Sequence, residues 1–257
     1  MKFQNYYIEK EVYCMKLKLI GTGAIGALQS SACTLINDDI LVDMPNGIVK
    51  RMKQLGVDVS KIKRILITHL HGDHFLDIPF FMFEKFFTKS NDEIEIYCPP
   101  ETQYKVKQIF DITFPGDYER VTKNINIKFY EFNKLDKKEI LENVFVTSYI
   151  VEHGDLKNSN GYVIENKDKK IGFSGDSRLC GNIEEIVSKS DISILDMSLA
   201  EDGNNAHMGL NDIEFLCNKY KDKKIVTTHM QDYTRKMAKL KGIENLIIPE
   251  DGDIINL

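Results

Sequence analysis

The stretch ILITHLHGDHF runs from Ile65 to Phe75, and its reading decides the fold. Its apolar opening predicts a β-strand, and His69, His71, Asp73 and His74 follow at once. A strand sends alternate side chains to the same face, so His69 and His71 are expected to point the same way from near its end. A turn at Gly72 then sets Asp73 and His74 at the start of a helix. Three imidazoles and a carboxylate crowded together suit borderline divalent metals, which take imidazole nitrogen and carboxylate oxygen. A lone histidine is usually a satisfied core or surface residue; four ligand-type residues at this density have no packing use.

Further ligand-type residues stand at the ends of other predicted strands. They are His153 after VTSYIVE, Asp176 in GFSGDS, His229 in IVTTHM, and His207 in the loop NNAHMGLND (204–212). Ends of strands on a rigid scaffold are where function concentrates. Taken alone, His153 and His229 read as core histidines; beside the first motif they read as ligands.

Apolar runs rich in β-branched residues predict strands at 16–20, 33–44 (as a hairpin), 64–69, 94–98, 125–132, 144–153, 162–176 (again a hairpin), 192–198, 224–229 and 246–257. Helical periodicity covers 47–55, 72–87, 101–111, 182–189, 210–220 and 231–240. Hairpins in both halves with helices between them predict an α/β (α+β) fold of two sheets flanked by helices, and not one doubly wound sheet. No repeat, low-complexity tract or linker divides the chain, so residues 15–257 read as one domain. Residues 1–14 read as an extension, or as lying upstream of a start at Met15. GTGAIG (21–26), with Asp43 downstream, matches a dinucleotide fingerprint in letters. It lacks the crossover helix that fingerprint needs, because CTLI follows after only ALQSSA. A tight strand-end loop is expected there.

The composition, 42% hydrophobic and 28% charged, is that of a globular protein. A net charge of -5 implies no large nucleic-acid footprint but leaves room for a small anionic substrate. No apolar run reaches the roughly 20 residues that span a bilayer, and the N-terminus lacks the h-region of a signal peptide, so a cytoplasmic protein without membrane contact is expected. Five scattered cysteines, without a CxxC, suggest neither disulfides nor a cysteine metal site. The aromatic run FLDIPFFMFEKFF (75–87) reads first as core; the alternatives are a pocket wall or a surface for a homodimer. KDKK (167–170) and KYKDKK (219–224) read as solvated turns.

H-x-H-x-D-H, a lone histidine at 153, SGDS at 174–177 and a last histidine after an apolar strand occur in the order of the metallo-β-lactamase superfamily, which the chain from Met15 onward resembles. The resemblance implies a four-layer αββα sandwich. It implies two divalent ions, zinc foremost with manganese or iron compatible. His69, His71 and His153 would hold one, Asp73, His74 and His229 the other, and Asp176 would bridge them. Asp43, in LVDMPNG, matches an acidic position that supports ligands in relatives; a turn-forming aspartate is the equal alternative. Two such ions about 3.5 to 4 Å apart share and activate a water as a bridging hydroxide. The net charge of about +1 that remains matches a phosphodiester, or a carboxylated lactone or lactam.

Within the superfamily, the ribonuclease Z group and its smaller phosphodiesterase relatives carry an extra histidine paired with an acidic residue. Here His207 in HMG and Asp196 in LDMS stand at those places. A histidine held by a carboxylate can donate to a phosphoryl oxygen or leaving group, and Asp73 could accept a proton. Helix capping is the bland reading of His207, although Asn211 is the better cap candidate. The interval of 23 positions from His153 to Asp176 is filled by a hairpin, without the long tRNA-binding arm usual in ribonuclease Z. The expectation is therefore a metal-dependent hydrolase of a small or cyclic phosphodiester, with catalytic Asp73, His207 and Asp196. The alternatives are a ribonuclease Z-type tRNA 3′-processing endonuclease and a lactone or thioester hydrolase.

Overall fold

The structure, a computed structural model, describes residues 15–257. The extension expected at 1–14 lies outside the described residues. The first strands are β1 (Lys16–Gly21), β2 (Cys33–Ile36), β3 (Ile40–Val42), β4 (Arg64–Leu66), β5 (Glu93–Cys98) and β6 (Asn126–Glu131). They are followed by β7 (Lys137–Leu141), β8 (Val144–Ile150), β9 (Asn160–Glu165), β10 (Lys170–Phe173), β11 (Ile192–Asp196), β12 (Lys224–Thr228), β13 (Leu246–Ile247) and β14 (Ile254–Asn256). They form two sheets, ordered β14-β1-β2-β3-β4-β5-β6 and β13-β12-β11-β10-β9-β8-β7. Each sheet joins an antiparallel half to a parallel half, the latter at β3 through β6 and at β10 through β13.

Parallel neighbours need crossovers, and helices supply them. They are α1 (Ile48–Gln54), α2 (Gly72–Phe75), α3 (Ile78–Phe87), α4 (Thr102–Thr113) and α5 (Asp117–Thr122) on one side. On the other are α6 (Gly181–Lys189), α7 (Leu210–Lys219) and α8 (Asp232–Lys241). The layering follows from period-two patterning in strands apolar on both faces. Leu35, Leu41 and Ile65 join the core under α1 and α3, whereas their neighbours Ile36, Val42 and Leu66 join the core between the sheets. Likewise Ile194 and Val226 face the first sheet while Leu195 and Ile225 face α6 and α7. Three apolar cores thus separate four layers, the αββα arrangement.

β7 and α5 were not expected; both are short and carry much exposed charged surface, so neither shows a strong apolar period. The loop GTGAIG has no crossover helix behind it, since β2 returns antiparallel to β1. Within 75–87 both readings hold in part: Phe75, Ile78, Phe81 and Met82 are buried, while Phe80 and Phe87 are 50% and 69% exposed. The two exposed rings line a groove of about 520 Å³ with Leu76, Phe83 and Ile109. No helix among the described residues is long and apolar enough to cross a membrane.

Candidate metal centre

The expectation that strand β4 itself carries His69 and His71 needs correction. The ladder stops at Leu66, because the Thr68 N–H leaves it to donate to Asp43 Oδ1 at 2.8 Å. His71 still has an extended backbone (φ -79°, ψ 151°), and the His69 and His71 rings lie 4.8 Å apart. His71 is the residue before α2, and Asp73 and His74 occupy its single turn. That turn is pinned by Met44 N–H donating to the His74 carbonyl at 2.7 Å. Asp43 and His229, each just past a strand, have left-handed backbones (φ 63° and 54°), a strain that non-glycine residues carry mostly at functional sites.

Four of the five metal-type imidazoles are held by one nitrogen, which leaves the other directed inward. His74 Nδ1 donates to Asp43 Oδ2 at 2.8 Å. His153 Nδ1 donates to the Ala206 carbonyl at 2.8 Å, and His229 Nδ1 donates to Ser198 Oγ at 2.7 Å. His69 Nδ1 sits 3.1 Å from Thr68 Oγ1, which also bonds Asp43. Such partners fix ring tautomer and orientation in metal sites. Asp43 thus accepts from the His74 ring as well as from the Thr68 N–H.

The inward nitrogens converge on one oxygen. Asp176 Oδ2 lies 3.3 Å from His74 Nε2 and from His229 Nε2, 3.8 Å from His69 Nε2 and 4.0 Å from His153 Nε2. Gly175 makes this approach possible: its φ is +58°, and a Cβ there would stand 2.8 Å from the Asn160 carbonyl oxygen. Asp73 Oδ2 lies 3.3 Å from His229 Nε2 and 3.8 Å from His74 Nε2. His71 Nδ1 completes the other side, 3.1 Å from His153 Nε2. Donor atoms of His69, His71 and His153, of Asp73, His74 and His229, and of His69, His74 and Asp176 form sets within 4.8 Å. The buried Nε2 atoms of His69 and His74 have no hydrogen-bond partner. A buried polar nitrogen without a partner is costly, and a divalent ion is the group that satisfies imidazole lone pairs beside carboxylates. The residues present therefore fit metal ions.

Crowded charge follows from this convergence. Burial alone would raise the Asp176 carboxyl, but His229 and His74 together hold it well below its ordinary range. Burial opposes charge on His229, yet Asp176 with Asp196 and Asp73 pushes it up to about 10. His74 is raised too, since Asp176 and Asp43 outweigh its burial. His69, buried and beside His74, is pushed the other way.

His207 stands apart from these candidate ligands while its ring packs against that of His229. Its Nδ1 donates to Asp196 Oδ2 at 2.9 Å, and its ring stacks on His229 with centroids 5.2 Å apart and planes 13° from parallel. Asp196 is fully buried, and its oxygens are taken by His207, the Ser177 N–H and Ser198 Oγ. That leaves His207 Nε2 as the nitrogen available to a substrate. Asp196 and His207 also lie within ligand distance of Asp176 and His229, but the hydrogen bonds already commit them to each other. Burial would lower the His207 pKa; the bond and charge of Asp196 raise it overall. The side chain of Asn204 fixes the loop by accepting from the Ala206 and His207 N–H groups, both at 2.8 Å. Asn211 is not the cap of the next helix: α7 begins after Gly209, whose N–H donates to Asp212, and Asn211 bonds Asp202 instead.

The fold brings together the candidate ligands His69, His71, Asp73, His74, His153, Asp176 and His229, and sets His207 beside Asp196. Sequence reasoning missed Thr68, Ser198 and the Ala206 carbonyl. Thr68 precedes His69 directly and Ser198 follows Asp196 by two, on the same side of an extended run, which is the signal that could have found them.

The two stacked sheets, with this donor cluster at their strand ends, define the metallo-β-lactamase fold. Within it, the chain belongs to the family described as "Anti-Pycsar protein Apyc1", which matches residues 15–251. The ribonuclease Z of Thermococcus kodakarensis is 23% identical over 94% of this chain and 94% of its own length. The chain spans about half the length of the first curated relatives it matches, also ribonucleases Z. Among solved structures, the metallo-β-lactamase fold protein YhfI from Bacillus subtilis superposes with a TM-score of 0.76 at 18% identity, covering 95% of this chain and 100% of its own. A diphosphatase from the PhnP family superposes with a TM-score of 0.73 at 17% identity, covering 95% and 98%.

Proposed function

We propose that the chain hydrolyses a small or cyclic phosphodiester, such as a cyclic nucleotide, with two divalent ions, zinc foremost. His69, His71 and His153 would hold one ion and Asp73, His74 and His229 the other, with Asp176 available to both. When bound, such ions supply an activated water and positive charge toward a phosphoryl group. The rest falls to the chain. Asp43, Thr68, Ser198 and the Ala206 carbonyl keep the ligand rings aimed inward. Asp73, itself a member of the second set, can also take up a proton. His207, kept a donor by Asp196, presents Nε2 to a phosphoryl oxygen or a leaving oxygen, where a hydrogen bond or proton counts most.

The observation that carries this reading is the 2.9 Å bond from His207 to Asp196, set beside the ligand cluster. A hydrolase of neutral esters has no need of a second carboxylate-backed imidazole there. The names of the relatives, a ribonuclease and a diphosphatase, belong to enzymes that cut bonds to phosphorus, which supports the same chemistry. A small substrate is favoured because only the β9–β10 hairpin and its short lead-in separate His153 from Asp176, with no protruding arm among the described residues.

The test is a substrate panel with defined metals: bis-p-nitrophenyl phosphate, 3′,5′- and 2′,3′-cyclic nucleotides, a precursor tRNA, and a lactone. Turnover of the small diesters is expected. Precursor-tRNA cleavage without small-diester turnover would instead establish the ribonuclease Z reading, which the ribonuclease Z relatives favour.

A further inference from the structure

One side chain at the centre has no role in the account above beyond aiming a ring, yet it touches both imidazole systems. Ser198 is 5% exposed. Its Oγ lies 2.7 Å from His229 Nδ1, 2.8 Å from Asp196 Oδ1, 2.9 Å from the His229 carbonyl oxygen and 3.3 Å from His207 Nδ1. Its backbone is pinned by Thr234 Oγ1, which donates to the Ser198 carbonyl at 2.7 Å.

We propose that Ser198 is a positioning residue that joins metal-binding His229 and substrate-facing His207 into one hydrogen-bonded unit through their shared carboxylate, Asp196. The His207 half rests on the phosphodiesterase reading; the His229 half does not.

A hydroxyl has one proton and two lone pairs. His229 Nε2 faces Asp73 and Asp176, so the ring's outer Nδ1–H must donate, and Ser198 Oγ accepts it. The hydroxyl proton then goes to Asp196 Oδ1, because a bond to a carboxylate is stronger than one to a neutral carbonyl. Asp196 Oδ2 is left for His207 Nδ1 at 2.9 Å and the Ser177 N–H at 3.2 Å. Removing the hydroxyl breaks both sides. Asp196 loses one of the donors that offset its burial, and His229 loses its acceptor. The next acceptor for His229 Nδ1 is Asp196 Oδ1 at 3.6 Å. A ring that swings toward it draws Nε2 away from the other ligands and competes for the carboxylate that holds His207.

The experiment compares wild type, Ser198→Ala, Ser198→Thr, His207→Ala and the Ser198→Ala/His207→Ala double variant in the full chain. Zinc affinity is read by chelator competition, and kcat and KM with bis-p-nitrophenyl phosphate at saturating zinc. In Ser198→Ala the weaker zinc ion is expected to bind roughly 10- to 100-fold less tightly, the range seen when a ligand loses its hydrogen-bond partner. The kcat is expected to fall at least about tenfold with KM held within about threefold. Ser198→Thr restores both, and His207→Ala leaves zinc affinity at the wild-type value. Because Ser198 acts through His207 on substrate, the double variant is no slower than His207→Ala alone.

Wild-type zinc affinity in Ser198→Ala overturns the proposal, as does a folded Ser198→Thr protein that is as weak in zinc as the alanine variant. Kinetic losses that multiply in the double variant overturn the link to His207. If the wild-type chain turns over no phosphodiester, that reading fails by itself, and the zinc measurement alone then decides the role of Ser198.

Discussion

Loading the site with metal should release protons, and the amount follows from the charges around Asp176. In the metal-free protein His229 has a pKa of about 10 and His74 is raised as well, both chiefly through Asp176. At neutral pH the inner nitrogen of His229 therefore carries a proton that must leave before it can bind an ion. With a pKa of about 10, that departure costs about 4 kcal/mol at pH 7, or roughly a thousandfold in apparent affinity. Apparent affinity should then climb about tenfold per pH unit and flatten near the folded pKa, with His74 steepening the rise. The sign for the empty protein is the reverse. Both pKa values lie above the ordinary imidazole value, so the stability these ion pairs lend is full below about pH 6.5 and is lost as pH rises through the folded values. The gap in Tm between metal-loaded and chelator-treated protein should therefore widen with pH. Isothermal titration calorimetry of zinc in buffers of different ionisation enthalpy counts the released protons, and melting curves across about pH 6 to 9 follow the gap. Release of less than about half a proton per ion near pH 7.5, or a gap independent of pH, would refute the reasoning.

Other outcomes follow from single contacts. His207→Ala should keep both ions, by elemental analysis, and lose roughly 10²- to 10⁴-fold in kcat on a small diester, as expected when one acid or charge-stabilising group is removed; loss of metal would make His207 a ligand. In Asp43→Asn an amide N–H faces His74 Nδ1, where a carboxylate oxygen accepted at 2.8 Å. The ring proton is driven to Nε2, and metal affinity should fall roughly 10- to 100-fold by chelator competition. Gly175→Ala puts a Cβ 2.8 Å from the Asn160 carbonyl oxygen at φ +58°. It should lower stability by about 1 to 3 kcal/mol in urea unfolding and cost metal affinity as well, since Asp176 is displaced.

Much of this was legible because the determinants are local. H-x-H-x-D-H compresses four candidate ligands into one strand-to-helix junction, and the period-two runs with apolar residues on both faces, such as ILV in β3 and ISILD in β11, announce sheets covered on both sides. GTGAIG was separated from a nucleotide loop by counting residues to the next strand. Less legible were edges whose surface is mostly exposed, as in β7 and α5, where the apolar period is weak. The end of β4 was misread because the Thr68 N–H is drawn off by Asp43, a residue just past the neighbouring strand β3. The cap of α7 was misread because Gly209 and Asp212 satisfy its first turn, leaving Asn211 to bond Asp202.

By itself the sequence determined which residue types could bind metal, in what order, and that two sheets would be covered by helices, since ligand identity and apolar period belong to the chain. Only the tertiary structure decided which nitrogen of each imidazole faces the ions. That choice depends on partners far away in sequence: Asp43 for His74, the Ala206 carbonyl for His153, Ser198 for His229, and Asp196 for His207. It likewise decided that Asp176 Oδ2 meets imidazoles from separate strand ends within 4.0 Å. Such a meeting exists only once both sheets have packed face to face and Gly175 has let the backbones close on each other.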